Sequence, residues 1–181
     1  MDGIGFREAR PKDAASLGAL HVAAWRETYA GLFPDAFLDG LSAEARAAMW
    51  HEVLSDPAAF DHSAVFLAER GGSVIGFGAC GAQRDAALAA RGYDGEIGAI
   101  YVLRSHQGEG VGRRLMGLLA LRLRAQGRRA ASLWVLRENE PARTFYERLG
   151  GMIVGEKTEE QAGTLRTELA YGWADLDALG G

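Results

Sequence analysis

From Asp94 to Gly127 the chain reads D-G-E-I-G-A-I-Y-V-L-R-S-H-Q-G-E-G-V-G-R-R-L-M-G-L-L-A-L-R-L-R-A-Q-G, and no other stretch restricts the fold as much. Every residue from Ile97 to Leu103 is apolar or glycine, the pattern of a strand buried on both faces. After Arg104-Ser105-His106, glycine recurs at every second position, Gly108, Gly110 and Gly112. Glycine alone turns freely at positive φ and leaves room for another molecule against the amides. From Val111 onward Leu115, Leu118, Leu119 and Leu123 return at helical spacing until Gly127, a C-terminal cap. The first turn of a helix has N–H groups without partners, and its dipole places partial positive charge there, so such an end binds phosphate. Arg113 and Arg114 add formal charge one turn in. The stretch from Gly108 to Arg114 is therefore expected to hold the phosphates of a ligand.

Two familiar phosphate sites do not match. No Lys-Ser or Lys-Thr follows the last glycine, as a P-loop needs, and the spacing G-x-G-x-G is not that of a dinucleotide fingerprint. A second motif lies downstream. An apolar strand, Ala130 to Leu136, leads into Asn139-Glu140-Pro141-Ala142-Arg143-Thr144-Phe145-Tyr146-Glu147-Arg148-Leu149-Gly150. Asn139 or Glu140 can cap this helix, Pro141 suits its first turn, and Gly150 closes it.

Gln107-Gly108-Glu109-Gly110-Val111-Gly112 resembles motif A of the GCN5-related N-acetyltransferases, and Leu133-x-Val135 followed by Asn139-x-x-Ala142-x-x-Phe145-Tyr146-x-x-x-Gly150 is similar to their motif B. The resemblance implies an α/β (α+β) fold: a mixed, mostly antiparallel seven-stranded sheet splayed between strands 4 and 5, with about four helices. This is the acyl-CoA N-acyltransferase fold. It also implies acetyl-CoA as cofactor, with Ile100, Tyr101 and Val102 offering backbone groups to the pantetheine arm. Gln107, Gly108, Glu109, Gly110, Val111, Gly112 and Arg113 would hold the pyrophosphate. Asn139 would touch the cofactor near the arm, although read alone it is a plain helix cap. Two departures stand out: Gly150-Gly151 replaces the family's Gly-Phe, and Leu103-Arg104 lacks a common proline.

An amine acceptor must lose a proton before it attacks a thioester, and the departing thiolate is helped by an acid. Glu96, at the start of the fourth strand, is the expected base, against the plainer reading of a solvated strand end. Tyr146, from the family's Phe-Tyr pair, is the expected acid, against a half-buried helix aromatic. A backbone N–H near Val102 would polarise the thioester carbonyl. His21, Trp25 and Tyr29 fall at i, i+4 and i+8 and share one helix face, either a core stripe or a wall of the substrate pocket. Trp25 to Pro34, W-R-x-T-Y-x-G-x-x-P, looks like the opening of one acetyltransferase subgroup, and Trp25 and Tyr29 are taken as acceptor-binding. A non-catalytic acyl-CoA-binding module is the competing reading.

Elsewhere the pattern predicts a first strand over Ile4 to Arg10, a helix capped by Asp13 and running to about Ala30, and helical pieces over Asp35 to Leu54 with Ser42 as a cap. A hairpin through Arg70-Gly71-Gly72, a loop over Gly81 to Gly92, and a closing hairpin with strands Met152 to Glu156 and Thr164 to Trp173 complete it. One domain over residues 1–181 is expected. The net charge of −4 argues against nucleic acid, and one cysteine, Cys80, argues for a reducing, cytoplasmic setting. No apolar run reaches membrane-spanning length, and the four histidines lack metal-ligand spacing. The expected partners are a small-molecule or peptide amine, and a homodimer on the family's pattern.

Overall fold

A computed structural model describes residues 3–179. The elements run β1 (Gly5–Glu8), α1 (Ala14–Tyr29), α2 (Asp35–Asp39), α3 (Ala43–Ser55), β2 (His62–Arg70), β3 (Ser73–Ala82), α4 (Ala86–Ala90) and β4 (Gly95–Val102). Then follow α5 (Val111–Ala125), β5 (Ala131–Leu136), α6 (Glu140–Arg148), β6 (Met152–Gln161) and β7 (Thr164–Trp173). The strands form one sheet in the order β1-β2-β3-β4-β5-β7-β6. Each neighbouring pair is antiparallel except β4 and β5, which run parallel. The seven-stranded mixed sheet and its four longer helices agree with the expected fold; α2 and α4 are additions of five residues each.

Alternation along the strands decides what covers each face. Val65, Leu67, Phe77 and Ala79 pack with Leu17 and Leu20 of α1 and Trp50 and Val53 of α3. Ala64, Cys80 and Ile97 face the other way, onto Met116, Leu119 and Leu123 of α5. A Cβ at Gly78 would stand 2.8 Å from Leu119 Cδ1, so this glycine lets α5 settle close on the sheet. The ladder between β3 and β4 slips between Ala79 and Cys80, which leaves Gly98 as an extra residue. The bulge keeps Ile97 and Ile100 on the α5 side although they are three apart. Ala99 and Tyr101 consequently face α1 and α3.

Several local expectations change. Asp13 precedes α1 but does not cap it; its carboxylate accepts from Arg7 Nη1 at 2.7 Å, Arg7 Nη2 at 2.9 Å and the Arg10 amide at 2.8 Å. The Arg7 guanidinium holds that carboxyl below its ordinary range. Gly81 to Gly92 is not a plain loop: β3 continues to Ala82, and Asp85 Oδ1 accepts from the amides of Ala87 and Leu88 to start α4. The closing hairpin is longer than read, because β6 extends to Gln161 and turns at Ala162-Gly163, both at positive φ. Its polar half is an exposed edge strand, held across the ladder by Lys157 with Glu168 and Thr158 with Thr167. Ser42 caps α3 as expected, with Oγ accepting from Ala45 N at 3.1 Å. Gly71 and Gly72 make the two-residue turn between β2 and β3 with φ of 56° and 79°.

The aromatic missing at Gly151 is supplied from another strand. A Cβ there would lie 2.8 Å from Trp173 Cζ2. Trp173 is buried, and its indole N–H donates to the Leu149 carbonyl at 2.9 Å.

Candidate active site

The parallel pairing of β4 with β5 is short. It holds at Gly95 with Ala131 and Glu96 with Ser132, after which the strands part. The main-chain groups that Ile100 and Val102 turn toward β5 therefore have no strand partner, while Tyr101, in register with Phe77, turns its own to β3 as Leu103 does to Ile75; the Val102 carbonyl is taken by Gln107 Nε2 at 3.0 Å. Beyond this edge lies the glycine turn. Gly108 and Gly110 have φ of 78° and 82°, and a Cβ at either would meet nothing within 4 Å. Gly110 is the N-cap of α5 and no side chain caps that end. The first intrahelical bond runs from Arg114 N to Gly110 O at 3.0 Å, which leaves the amides of Val111, Gly112 and Arg113 aimed out of the helix.

Gly112 serves a different need. A Cβ there would be 3.0 Å from Phe145 Cζ, so its absence lets α5 approach α6. The side chains of Gln107 and Glu109 are engaged within the protein, Gln107 on β4 and Glu109 on Arg70 and His106. What both offer a ligand is backbone. Arg113 and Arg114 are exposed at the mouth of the turn. Asn139 does cap α6, its Oδ1 accepting from Ala142 N at 3.3 Å.

Where β4 and β5 diverge, a cavity of about 630 Å³ opens, bounded by Ile97, Gly98 and Tyr101 on one strand and Trp134 and Leu136 on the other. Trp25 and Tyr29 line it, as expected. Their helix partner His21 does not: it is buried, accepts from Trp50 Nε1 at 3.0 Å, and burial lowers its pKa to about 4. The helical stripe thus divides into a core residue and two wall residues. Trp25 and Tyr29 rings meet at 4.8 Å, and the Tyr29 hydroxyl lies 3.2 Å from that of Tyr101.

Glu96 lines the same cavity and is 8 % exposed. Arg84 holds it with three donors, N at 3.0 Å and Nε at 3.1 Å on Oε2, and Nη2 at 2.6 Å on Oε1. Tyr146 lies behind the cavity in the core, its ring centroid 5.8 Å from Tyr171 and 6.1 Å from Trp173. Burial first, and the nearby Tyr29 second, push its phenol well up from the ordinary value. Cys80 is fully buried with its thiol pushed up to about 12 by burial, so it is no nucleophile.

Sequence reading missed Arg84, Phe33, Trp134 and Glu168, all of which line the cavity, and saw only the backbone of Tyr101. Phe33 lay inside the Trp25 to Pro34 segment already singled out. Arg84 lies between β3 and α4, where no periodicity in the sequence marks a side chain.

Comparison with known proteins bears on this arrangement. The model of the acetyltransferase (GNAT) family matches residues 22–151. YuaI of Bacillus subtilis, described as an uncharacterized N-acetyltransferase, is 34 % identical over 177 residues, spanning 97 % of this chain and 96 % of YuaI. Among solved structures, the paia N-acetyltransferase of Thermoplasma acidophilum in complex with coenzyme A aligns with a TM-score of 0.71 at 17 % identity, over 94 % of this chain and 99 % of that one. YncA of Salmonella typhimurium, with its cofactor acetyl-CoA, gives 0.69 at 21 % identity, over 97 % and 95 %. At those identities the structural likeness speaks for the fold, while the family model and the YuaI match speak for descent. The splayed sheet, the glycine turn and these matches agree: this chain belongs to the GCN5-related N-acetyltransferase (GNAT) family of acetyltransferases.

Proposed function

We propose that the protein transfers acetyl from acetyl-CoA directly to a primary amine of a small molecule or peptide, within a ternary complex. The observation that carries this reading is the meeting of three features: an uncapped, glycine-turned helix start, a strand edge without a partner, and a cavity lined by Glu96 where β4 leaves β5. The residues fit the family's cofactor, since the open space beside Gly108 and Gly110 admits pyrophosphate oxygens to main-chain donors. When bound, acetyl-CoA supplies the acetyl group as an activated thioester.

The chain's own residues do the rest. Amides from Gly108 to Arg113 bind the anion, with Arg113 adding charge. Ile100 and Val102 orient the arm through backbone groups, as an added strand is oriented, with Tyr101 between them lining the cavity, and the Asn139 amide nitrogen is a further donor. A main-chain N–H near Val102 is positioned to polarise a carbonyl. Glu96 accepts a proton from the acceptor's ammonium, directly or through water, while Arg84 fixes its orientation. Tyr146 holds a proton at Oη for the departing sulfur, and its raised pKa keeps that proton in place at neutral pH.

Residues 1–181 form one catalytic domain in this reading, and a cytoplasmic location suits it. Met152, Ile153 and Leu165 on the closing hairpin are 72 %, 53 % and 73 % exposed, which supports a homodimer formed on that surface. Thiol release from acetyl-CoA with a broad amine panel tests the activity. No release above background, with no cofactor-induced thermal shift, removes the reading. Normal cofactor binding, with Glu96→Gln and Tyr146→Phe indistinguishable from the parent in turnover, favours the binding-module alternative.

A further inference from the structure

The cavity's charged side chains are three carboxylates, Asp85, Glu96 and Glu168, against two cations, Arg84 and Lys157. They are not equally available. Arg84 donates three hydrogen bonds to Glu96, one from its amide and two from its guanidinium. Asp85 Oδ1 is committed to the start of α4. Lys157 Nζ sits 3.3 Å from both Glu159 and Glu168 and 4.7 Å from the centre of the Trp134 ring. Glu168 therefore keeps unused acceptor capacity: its side chain is 17 % exposed and Lys157, shared with Glu159, is its ion-pair partner. A carboxylate in the same wall as several rings suits a cation with an apolar body, because charge meets charge and hydrocarbon meets ring faces.

This inference rests on the transferase reading above and narrows its substrate. We propose that Glu168, with the rings of Trp25, Tyr29, Phe33 and Trp134, forms an ammonium subsite, and that the acceptor is a small amine with an apolar or aromatic body and no carboxylate. Glu168 lies across the β5–β7 ladder from Leu136 and across the β6–β7 ladder from Lys157, which sets it on the wall opposite β4. Its charge acts on the Tyr29 phenol, and Tyr29 in turn meets Tyr101. Two further cations stack on lining rings, Arg166 with its guanidinium 4.2 Å from the centre of Phe33 and Arg46 5.5 Å from that of Trp25. The subsite takes the amine as ammonium, the form that prevails at neutral pH. An acceptor carboxylate finds neither lining cation unpaired.

The test uses coenzyme A-saturated protein and three probes that share one body: 2-phenylethylammonium, 2-phenylethanol and 3-phenylpropionate. Trp25 and Trp134 line the cavity, so tryptophan fluorescence reports binding without turnover. The ammonium is expected to bind about tenfold or more tighter than the alcohol, with the propionate weakest, as one charge-assisted contact implies. Glu168→Gln should erase that preference and leave the alcohol unchanged. Lys157→Met, which releases Glu168, should tighten the ammonium relative to the alcohol, and it decides the matter if Glu168→Gln does not fold. Equal binding of propionate and ammonium, or an ammonium-to-alcohol ratio unmoved by both variants, overturns the subsite. Thiol release measured in parallel keeps the two readings apart. Turnover of other amines without ammonium selectivity sinks the subsite alone, and selectivity without turnover of any amine sinks the transferase reading.

Discussion

Replacing Gly110 by alanine separates backbone strain from ligand seating. Gly110 has φ of 82°, and an added Cβ meets nothing within 4 Å, so the variant carries no steric clash. The left-handed conformation costs an alanine roughly 1–2 kcal/mol. In a chain of this length that lowers the melting temperature by about 2–8 °C. On the proposed function, the methyl group would also fill the space through which a pyrophosphate reaches the uncapped amides of α5. Losing one charge-assisted hydrogen bond, about 1.5–3 kcal/mol, weakens coenzyme A binding by roughly tenfold to a hundredfold. Gly127→Ala is the control. Gly127 has φ of 81° and equally open surroundings at the far end of α5, so it shares the strain but not the seat. Titration calorimetry and thermal unfolding on both variants read the two effects separately. Unchanged coenzyme A affinity in folded Gly110→Ala, or an equal loss in Gly127→Ala, would refute the reasoning.

Glu96→Gln should lower kcat by about 10²–10⁴, the range of a lost general base, with little change in coenzyme A affinity, and single-turnover rates check it. Tyr146→Phe should also lower kcat, and the parent should show no alkaline fall in kcat below pH 10.0, because the phenol is held above its ordinary value; a limb near pH 8 speaks against Tyr146 as the acid. His21 is neutral in the fold with a pKa of about 4 against an ordinary 6.5. The unfolded chain takes up a proton that the folded one refuses, so stability is lost as pH falls from 6.5 toward 4, by about 3 kcal/mol. Urea unfolding at pH 7 and pH 4.5 should show that loss shrinking in His21→Gln. Gly151→Ala should cost roughly 1–3 kcal/mol through overpacking on Trp173, and a double-mutant cycle with Trp173→Phe should show coupling between the two sites.

Much of this was legible in the sequence because it rests on backbone demands. Positive φ at Gly108 and Gly110 leaves a spacing that no side-chain context obscures. The unbroken apolar run of β4, buried only over Gly95 to Ile97, and the leucine stripe of α5 are visible directly. The reason for Gly112 was hidden, since its neighbour Phe145 comes from another helix. The same is true of Gly151, whose missing aromatic arrives on β7 as Trp173, a partner set by tertiary packing alone. The cavity's polar wall was the least legible part. Arg84 and Glu168 stand 12 residues before Glu96 and 72 after it, and only the sheet order brings them to one space. The polar second half of β6 read as loop because an edge strand with both faces near water has no apolar alternation to show.

On the proposed function, main-chain amides at the start of α5, beside the parted edge of β4, seat the cofactor. Amide chemical shifts of isotope-labelled protein titrated with coenzyme A test it most directly. The largest changes are expected on Gly108, Gly110, Val111, Gly112 and Arg113, with a second set at Ile100 to Val102. Saturable binding that leaves those amides unmoved while others shift would contradict it.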